Sequence, residues 1–195
     1  TPTGSGTKAT FSCWFKLGTI DTSDQGLLRI NDSGVNSLFT VLISPSAIKF
    51  RLLDSGAYVG TKVTSRLFRD HSAWYHVVCT LDTTQSTAND RMKVYVNGVL
   101  ETDFSTNTAP DEDHVSVALA ATSNYVQLLN SYSATGGSAG TDCYMAEVCF
   151  CDGQALAASS FGEFDEDSPT IWKPIDVSGL TFGDAGWYCD FEDSD

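Results

Sequence analysis

An all-β fold of two packed antiparallel sheets is what this 195-residue sequence predicts, and three observations carry that expectation. Tyr75, Val77, Cys79 and Leu81 alternate with Trp74, His76, Val78 and Thr80, the period of two that gives a strand one apolar face. Met92, Val94 and Val96 alternate in the same way and run into Asn97-Gly98, a dipeptide that tolerates the positive φ angles of a type I′ turn. A tight hairpin should close there. Similar runs recur along the chain between segments rich in Gly, Ser, Asn and Asp, without coiled-coil heptads, internal repeats or basic runs. About eleven or more strands, with one short helix near the C-terminus, predict a two-sheet jelly roll. The expected organisation is a flexible lead at 1–8 followed by one domain at 9–195.

Taken in order, Phe11, Cys13, Phe15 and Leu17 share one face of a first strand, with Ser12, Trp14 and Lys16 on the other. Gly18–Gly26 is a loop holding Asp21 and Asp24; the apolar run Leu27–Ile30 follows, then a polar turn at Asn31–Gly34. Leu38–Ile43 and Ala47–Leu53 are strands separated only by Ser44-Pro45-Ser46, so they should pair as neighbours. Tyr58–Phe68 is a weaker strand region. Asp82–Asp90 contains nothing to bury and connects the two central strands as an exposed loop. Beyond the hairpin, Asp103–His114 reads as a polar acidic connection, and Val115, Val117 and Leu119 resume a period of two. Tyr125–Leu129 is a short strand, Ser131–Asp142 a Gly-rich surface loop, and Tyr144–Cys151 a strong strand. Gln154–Phe161 carries enough Ala and Leu for two helical turns, Phe161–Asp176 reads as irregular and acidic, and Trp187–Phe191 supplies a last strand.

The W-x-H-V start of Trp74–Val77, the polar connection and the Lys93-Val94-Tyr95-Val96-Asn97-Gly98 strand and turn resemble the central signature of laminin-G-like and pentraxin-like domains in the concanavalin A-like lectin superfamily. Ala9–Lys16 (ATFSCWFK) and Tyr144–Leu156 (YMAEVCFCDGQAL) resemble its opening and closing strands, in the same order and spacing. The wording AEVCFCDGQAL, FGEFDED, WKP and GWYCDF is most similar to lectin-like domains in structural proteins of tailed bacteriophages and other aquatic viruses. The resemblance implies a virion-surface location, with other virion proteins and host-surface polysaccharide as partners, in a homo-oligomer such as a trimer. It also implies a disulfide between Cys13 and Cys79, where the residues alone equally allow two buried thiols. For Cys143, Cys149, Cys151 and Cys189 several pairings stay open, including a bond from Cys149 or Cys151 to Cys189.

Composition narrows the function classes. Eleven Lys and Arg against 25 Asp and Glu give a formal charge of −14, which argues against a reader of nucleic-acid phosphates. No apolar run approaches the ~20 residues that span a bilayer, so no membrane insertion is expected. The chain begins TPTGSG and ends DFEDSD in mid-pattern, which reads as a piece of a longer polypeptide.

Glu163-Phe164-Asp165-Glu166-Asp167 resembles the E-x-D-x-E strand of laminarinase-type glucanases, but its extra charge and the Ser168-Pro169 that follows point to a solvated loop. No enzyme is expected. Calcium is the one cofactor the resemblance suggests; among the acidic turns, Asp152, Asp165 and Asp167 are the candidate ligands because they flank the closing strand. A glycan site needs an exposed aromatic beside hydrogen-bonding groups, which nominates the loop residues Trp172, Tyr58 and Tyr132 and leaves Trp14 and Trp74 a structural role. Three functions follow: a fibre module that binds host glycans, a purely structural or decorating virion domain, and a glucanase-like hydrolase.

Overall fold

A computed structural model describes residues 4–19, 24–32, 36–121, 125–129 and 141–191. In chain order the strands are β1 (Lys8–Leu17), β2 (Gln25–Asn31), β3 (Leu38–Ile43), β4 (Ile48–Asp54), β5 (Ala57–Thr64), β6 (Tyr75–Asp82) and β7 (Met92–Val96). They continue with β8 (Val99–Leu100), β9 (Phe104–Thr108), β10 (Tyr125–Leu128), β11 (Cys143–Asp152), β12 (Gly162–Phe164), β13 (Trp172–Pro174) and β14 (Trp187–Cys189), with helix α1 (Val117–Ala120) between β9 and β10. Two six-stranded antiparallel sheets result, ordered β14-β11-β1-β6-β7-β8 (sheet A) and β10-β2-β3-β4-β5-β9 (sheet B), and β12 and β13 form a separate two-stranded ribbon.

The alternation read in the sequence faces the space between the sheets. Phe11, Phe15, Val77, Cys79, Leu81, Met92 and Val94 of sheet A are fully buried, as are Phe39, Val41, Ile48, Phe50 and Leu52 of sheet B. Phe39 meets Phe50 edge-on at 5.1 Å and reaches across to Phe150 of the other sheet at 6.0 Å, which ties the layers together at the aromatic level. The central hairpin closes as expected, with φ of 47° at Asn97 and 81° at Gly98. The Asn97 side chain adds a clasp by accepting the His76 backbone N–H at 2.8 Å.

Part of the outer face of sheet A is buried as well, which strict alternation does not foretell. The segment between β11 and β14 crosses part of its outer side as a strap, and Val78, Cys149 and Cys151 of the sheet join Ala158, Phe161 and Val177 of the strap in a second apolar core. Thr10 fastens the start of the strap: its Oγ1 donates to the Gln154 carbonyl and accepts from the Leu156 N–H, both at 2.8 Å.

Several expectations need correction. Val115, Val117 and Leu119 do not form a strand; Val117–Ala120 is a single helical turn, the one α-helix among the described residues, with Ala118 and Leu119 buried and the Val117 N–H held by Asp54 at 3.1 Å. The helix expected near the C-terminus shrinks to a 3₁₀ turn at Ala158–Ser160. Asp103–His114 contains β9, paired to β5, and the acidic stretch after Phe161 contains the β12–β13 ribbon. The polar turn at Asn31–Gly34 and the loop Ser131–Asp142 lie largely outside the described residues.

All six cysteines are free. Cys13 stands opposite Val77 and Cys79 opposite Phe11, so the two are diagonal rather than directly paired, and the disulfide implied by resemblance is not formed. Cys189 stands opposite Val148 while Cys149 stands opposite Tyr188, which puts Cys149 and Cys189 on opposite faces of the sheet and removes that pairing as well.

Candidate functional site

The outer face of sheet A next to the strap collects aromatic side chains from four separated stretches. Trp14 of β1 and His76 of β6 are cross-strand partners, and their rings stack at 4.9 Å with 23° between planes. Trp172 of β13 lies edge to edge with His76, its ring centroid 6.0 Å away and its plane inclined by 24°. Its indole N–H donates to His76 Nδ1 at 2.9 Å, while His76 Nε2 lies 2.9 Å from Ser12 Oγ. An indole nitrogen is only a donor, so Nδ1 carries no proton and the neutral ring donates through Nε2 to Ser12. Burial makes this neutral form the stable one, pushing the His76 pKa down to about 3.

Glycines make room for Trp172. A Cβ on Gly98 would lie 2.4 Å from its six-membered ring, and one on Gly162 2.6 Å from the opposite part of the indole. The hairpin turn that the sequence announced is therefore also the seat of the Trp172 ring.

Glu147 reaches this surface at a bulge. Ser12 pairs with Cys149 but Trp14 pairs with Ala146, so β11 carries one extra residue between these points, and Glu147 adopts φ 51° there. Glu147 shares the outward parity of Cys149 and Cys151, with Val148 and Phe150 in the core, and the extra residue brings Ala146 opposite Trp14. Glu147 Oε2 accepts the Tyr188 hydroxyl at 2.5 Å. Burial, and then the adjoining carboxylate, raise the Tyr188 pKa, so the phenol keeps its proton and holds Glu147 in place.

Together Trp14, Trp74, Ala146, Glu147 and Trp172-Lys173-Pro174 line an open groove of about 360 Å³. Trp74, just ahead of β6, is 42% exposed, so its ring offers a free face. Lys173 is held by Glu163 at 3.4 Å and Asp165 at 3.3 Å. Indole faces stack on the C–H face of a pyranose, a carboxylate accepts from its hydroxyls and an ammonium donates to them. Hydrolysis by a retaining pair needs two carboxylates about 5 Å apart across a bond, and among the described residues Glu147 is the one carboxylate lining this groove.

Of the residues nominated from sequence, Trp172 belongs to the groove. Tyr58 lies on β5 in the other sheet, exposed, with the Arg51 guanidinium 5.3 Å over its ring, so it does not join Trp172. Tyr132 and Asp21 lie outside the described residues. The calcium candidates do not converge. Asp152 is buried at the end of β11 and accepts the Ser5 N–H at 2.8 Å. Asp165 accepts the Asp167 and Ser168 N–H groups and pairs with Lys173, whose hydrogen bond holds its carboxyl below the usual range, and Asp167 is exposed. Asp24 is ion-paired to Lys49 and Arg51. Among the described residues no group of three or more His, Cys, Asp or Glu side chains is placed to hold a metal ion. Trp14, Trp74 and Glu147 were not foreseen as site residues. A bulky Trp and a His on the outward faces of adjacent strands were the available signal for the aromatics, and the outward parity that Glu147 shares with Cys149 and Cys151 was the signal for the carboxylate.

The two antiparallel sheets with an aromatic groove on one outer face define a jelly-roll sandwich. A laminin-G-type model of the concanavalin A-like lectin/glucanases superfamily matches residues 2–149, and the chain belongs to that superfamily. Among solved structures it is similar to a heptameric SAP-like pentraxin from Limulus polyphemus, with TM-score 0.54 and 12% identity over 97% of this chain and 82% of that one. It is also similar to the CBM40 of the Ruminococcus gnavus IT-sialidase, with TM-score 0.53 and 16% identity over 81% and 80%. A third likeness is to the binding domain of botulinum neurotoxin serotype D/C, with TM-score 0.53 and 14% identity over 80% of this chain but 35% of that one. No curated protein matches at a significant level.

Proposed function

We propose that this chain is a non-enzymatic glycan-recognition domain and that it serves as a module of a viral fibre or other virion-surface protein. The observation that carries the glycan reading is the groove: three tryptophans, two of them engaging a neutral His76, beside an outward-facing carboxylate. The R. gnavus relative of this fold was solved bound to α2,3-sialyllactose, which supports a sugar as the ligand class. The placement on a virion is supported by the likeness of the segments around 146–156 and 161–191 to phage structural proteins. There, repeated copies would turn weak single-site affinity into firm attachment.

A glycan array screened with Trp74→Ala beside the wild type tests the glycan reading. Trp74 is half-exposed and outside the core, so loss of at least ~10-fold in affinity at unchanged thermal stability is the expected result. Equal binding by the variant would remove the groove from the account. Binding should persist in chelator, because the groove's polar groups are Glu147 and Lys173 rather than a metal cluster.

A second reading, contact with neighbouring virion proteins, is favoured by the apolar surface where edge strands β10 and β14 meet, lined by Val126, Leu128, Trp187 and Cys189. A concentration-independent monomer in solution would count against it.

A further inference from the structure

On the opposite flank from β14, where β8 and β9 form the far edges of the two sheets, a lateral cleft of about 180 Å³ opens beside a lysine that points into the sandwich. Lys62 of β5 pairs with Phe50, a core residue, and so lies on the inner face of sheet B; it is 2% exposed. Its ammonium donates to Asn107 Oδ1 at 2.7 Å and sits 4.6 Å from the centre of the Phe104 ring. Asn107 is itself steadied by a bond from its Nδ2 to Asn89 Oδ1 at 3.1 Å.

Among the described residues no carboxylate forms an ion pair with Lys62. The two acids of the cleft are already taken: Asp90 by Lys93 at 3.1 Å and Glu101 by Arg66 at 3.2 Å. With both acids engaged by other cations, the nearly buried Lys62 ammonium keeps only an amide and an aromatic face as partners. An ion removed from water in this way is costly unless a counter-charge joins it. Apolar walls from Leu100 and Met92 complete a pocket sized for one sugar ring.

We infer that this cleft is a second binding site, separate from the tryptophan groove, for a small carboxylate-bearing sugar such as a hexuronate, with the carboxylate on Lys62 Nζ and the ring against Leu100. Burial lowers the Lys62 pKa in the empty cleft, with Asp90 opposing. A bound carboxylate favours the charged amine, so binding takes up protons and should weaken as pH rises above the lowered value.

The test is an NMR titration of the intact domain that observes the Lys62 side-chain NH₃⁺ signal while sodium galacturonate, galactose or sodium acetate is added. Galacturonate should shift that signal and raise the pH at which it titrates, galactose should do neither, and acetate should act at least ~10-fold more weakly. Lys62→Met should abolish galacturonate binding while ligands of the tryptophan groove bind as before; the wild-type titration stands even if that variant folds poorly. An unmoved Lys62 signal, or equal responses to galactose and galacturonate, would overturn the proposal. Acetate as strong as galacturonate would overturn the sugar assignment by marking a general anion pocket.

Discussion

His76 is 1% exposed, and both ring nitrogens are committed, one to Ser12 and one to the Trp172 indole. Its folded pKa near 3 lies below the ordinary 6.5, so between those values the unfolded chain binds a proton that the folded chain refuses. Stability from this group is therefore complete above about pH 6.5 and declines as pH falls toward 3, by up to about 1.4 kcal/mol per pH unit. Carboxylates titrate in the same range, so the informative quantity is a difference. The stability advantage of wild type over His76→Phe in urea unfolding should shrink steadily from pH 6.5 to pH 4, with tryptophan fluorescence reporting release of Trp172; a pH-independent difference would contradict the neutral-histidine account. At this scale the sequence disclosed candidate types but not their company. Trp172 was legible as an exposed aromatic, yet its hydrogen bond to a residue 96 positions earlier depends on how the strap lies.

The Asn97-Gly98 turn joins two demands at the level of the element. Both residues need positive φ, and Gly98 must also leave space for the Trp172 ring. Asn97→Ala should cost about 1–2 kcal/mol through its backbone conformation and the lost bond to the His76 N–H. Gly98→Ala should cost more than that backbone penalty, roughly 2–4 kcal/mol, because a new methyl group meets a packed indole. Chemical denaturation gives the cost and near-ultraviolet circular dichroism the displacement of Trp172; equal costs at the two positions would contradict the seating described. The strongly alternating strands, β1, β4, β6 and β7, were legible because one of their faces is apolar throughout. β9 was not: Phe104-Ser105-Thr106-Asn107-Thr108 is a polar edge whose strand character comes from its neighbour β5. The three valine and leucine residues at 115, 117 and 119 misled because Asp54, remote in sequence, captures the Val117 N–H and starts a helical turn instead.

For the whole molecule, the family match ends at residue 149, while the strap that follows covers Val78, Cys149 and Cys151 and supplies Trp172, and β14 supplies Tyr188. A chain ended at Asp152 should therefore expose a contiguous apolar face on sheet A. Increased binding of a hydrophobic dye and loss of a single oligomeric species in size-exclusion chromatography are the expected outcomes. A well-behaved, dye-silent product would mean that the second core is dispensable. The jelly roll was readable from periodicity because two sheets need only one apolar face each; the third layer was not, since covering the outer face changes which residues are buried without changing the alternation.

Trp14, Trp74, Glu147 and Trp172 are gathered from places scattered over nearly the entire chain, so the groove certifies the integrity of the copy that displays it. A molecule nicked in the strap or halted before completing it has no such surface, and a matrix bearing the right ligand would retain intact copies and let damaged ones pass.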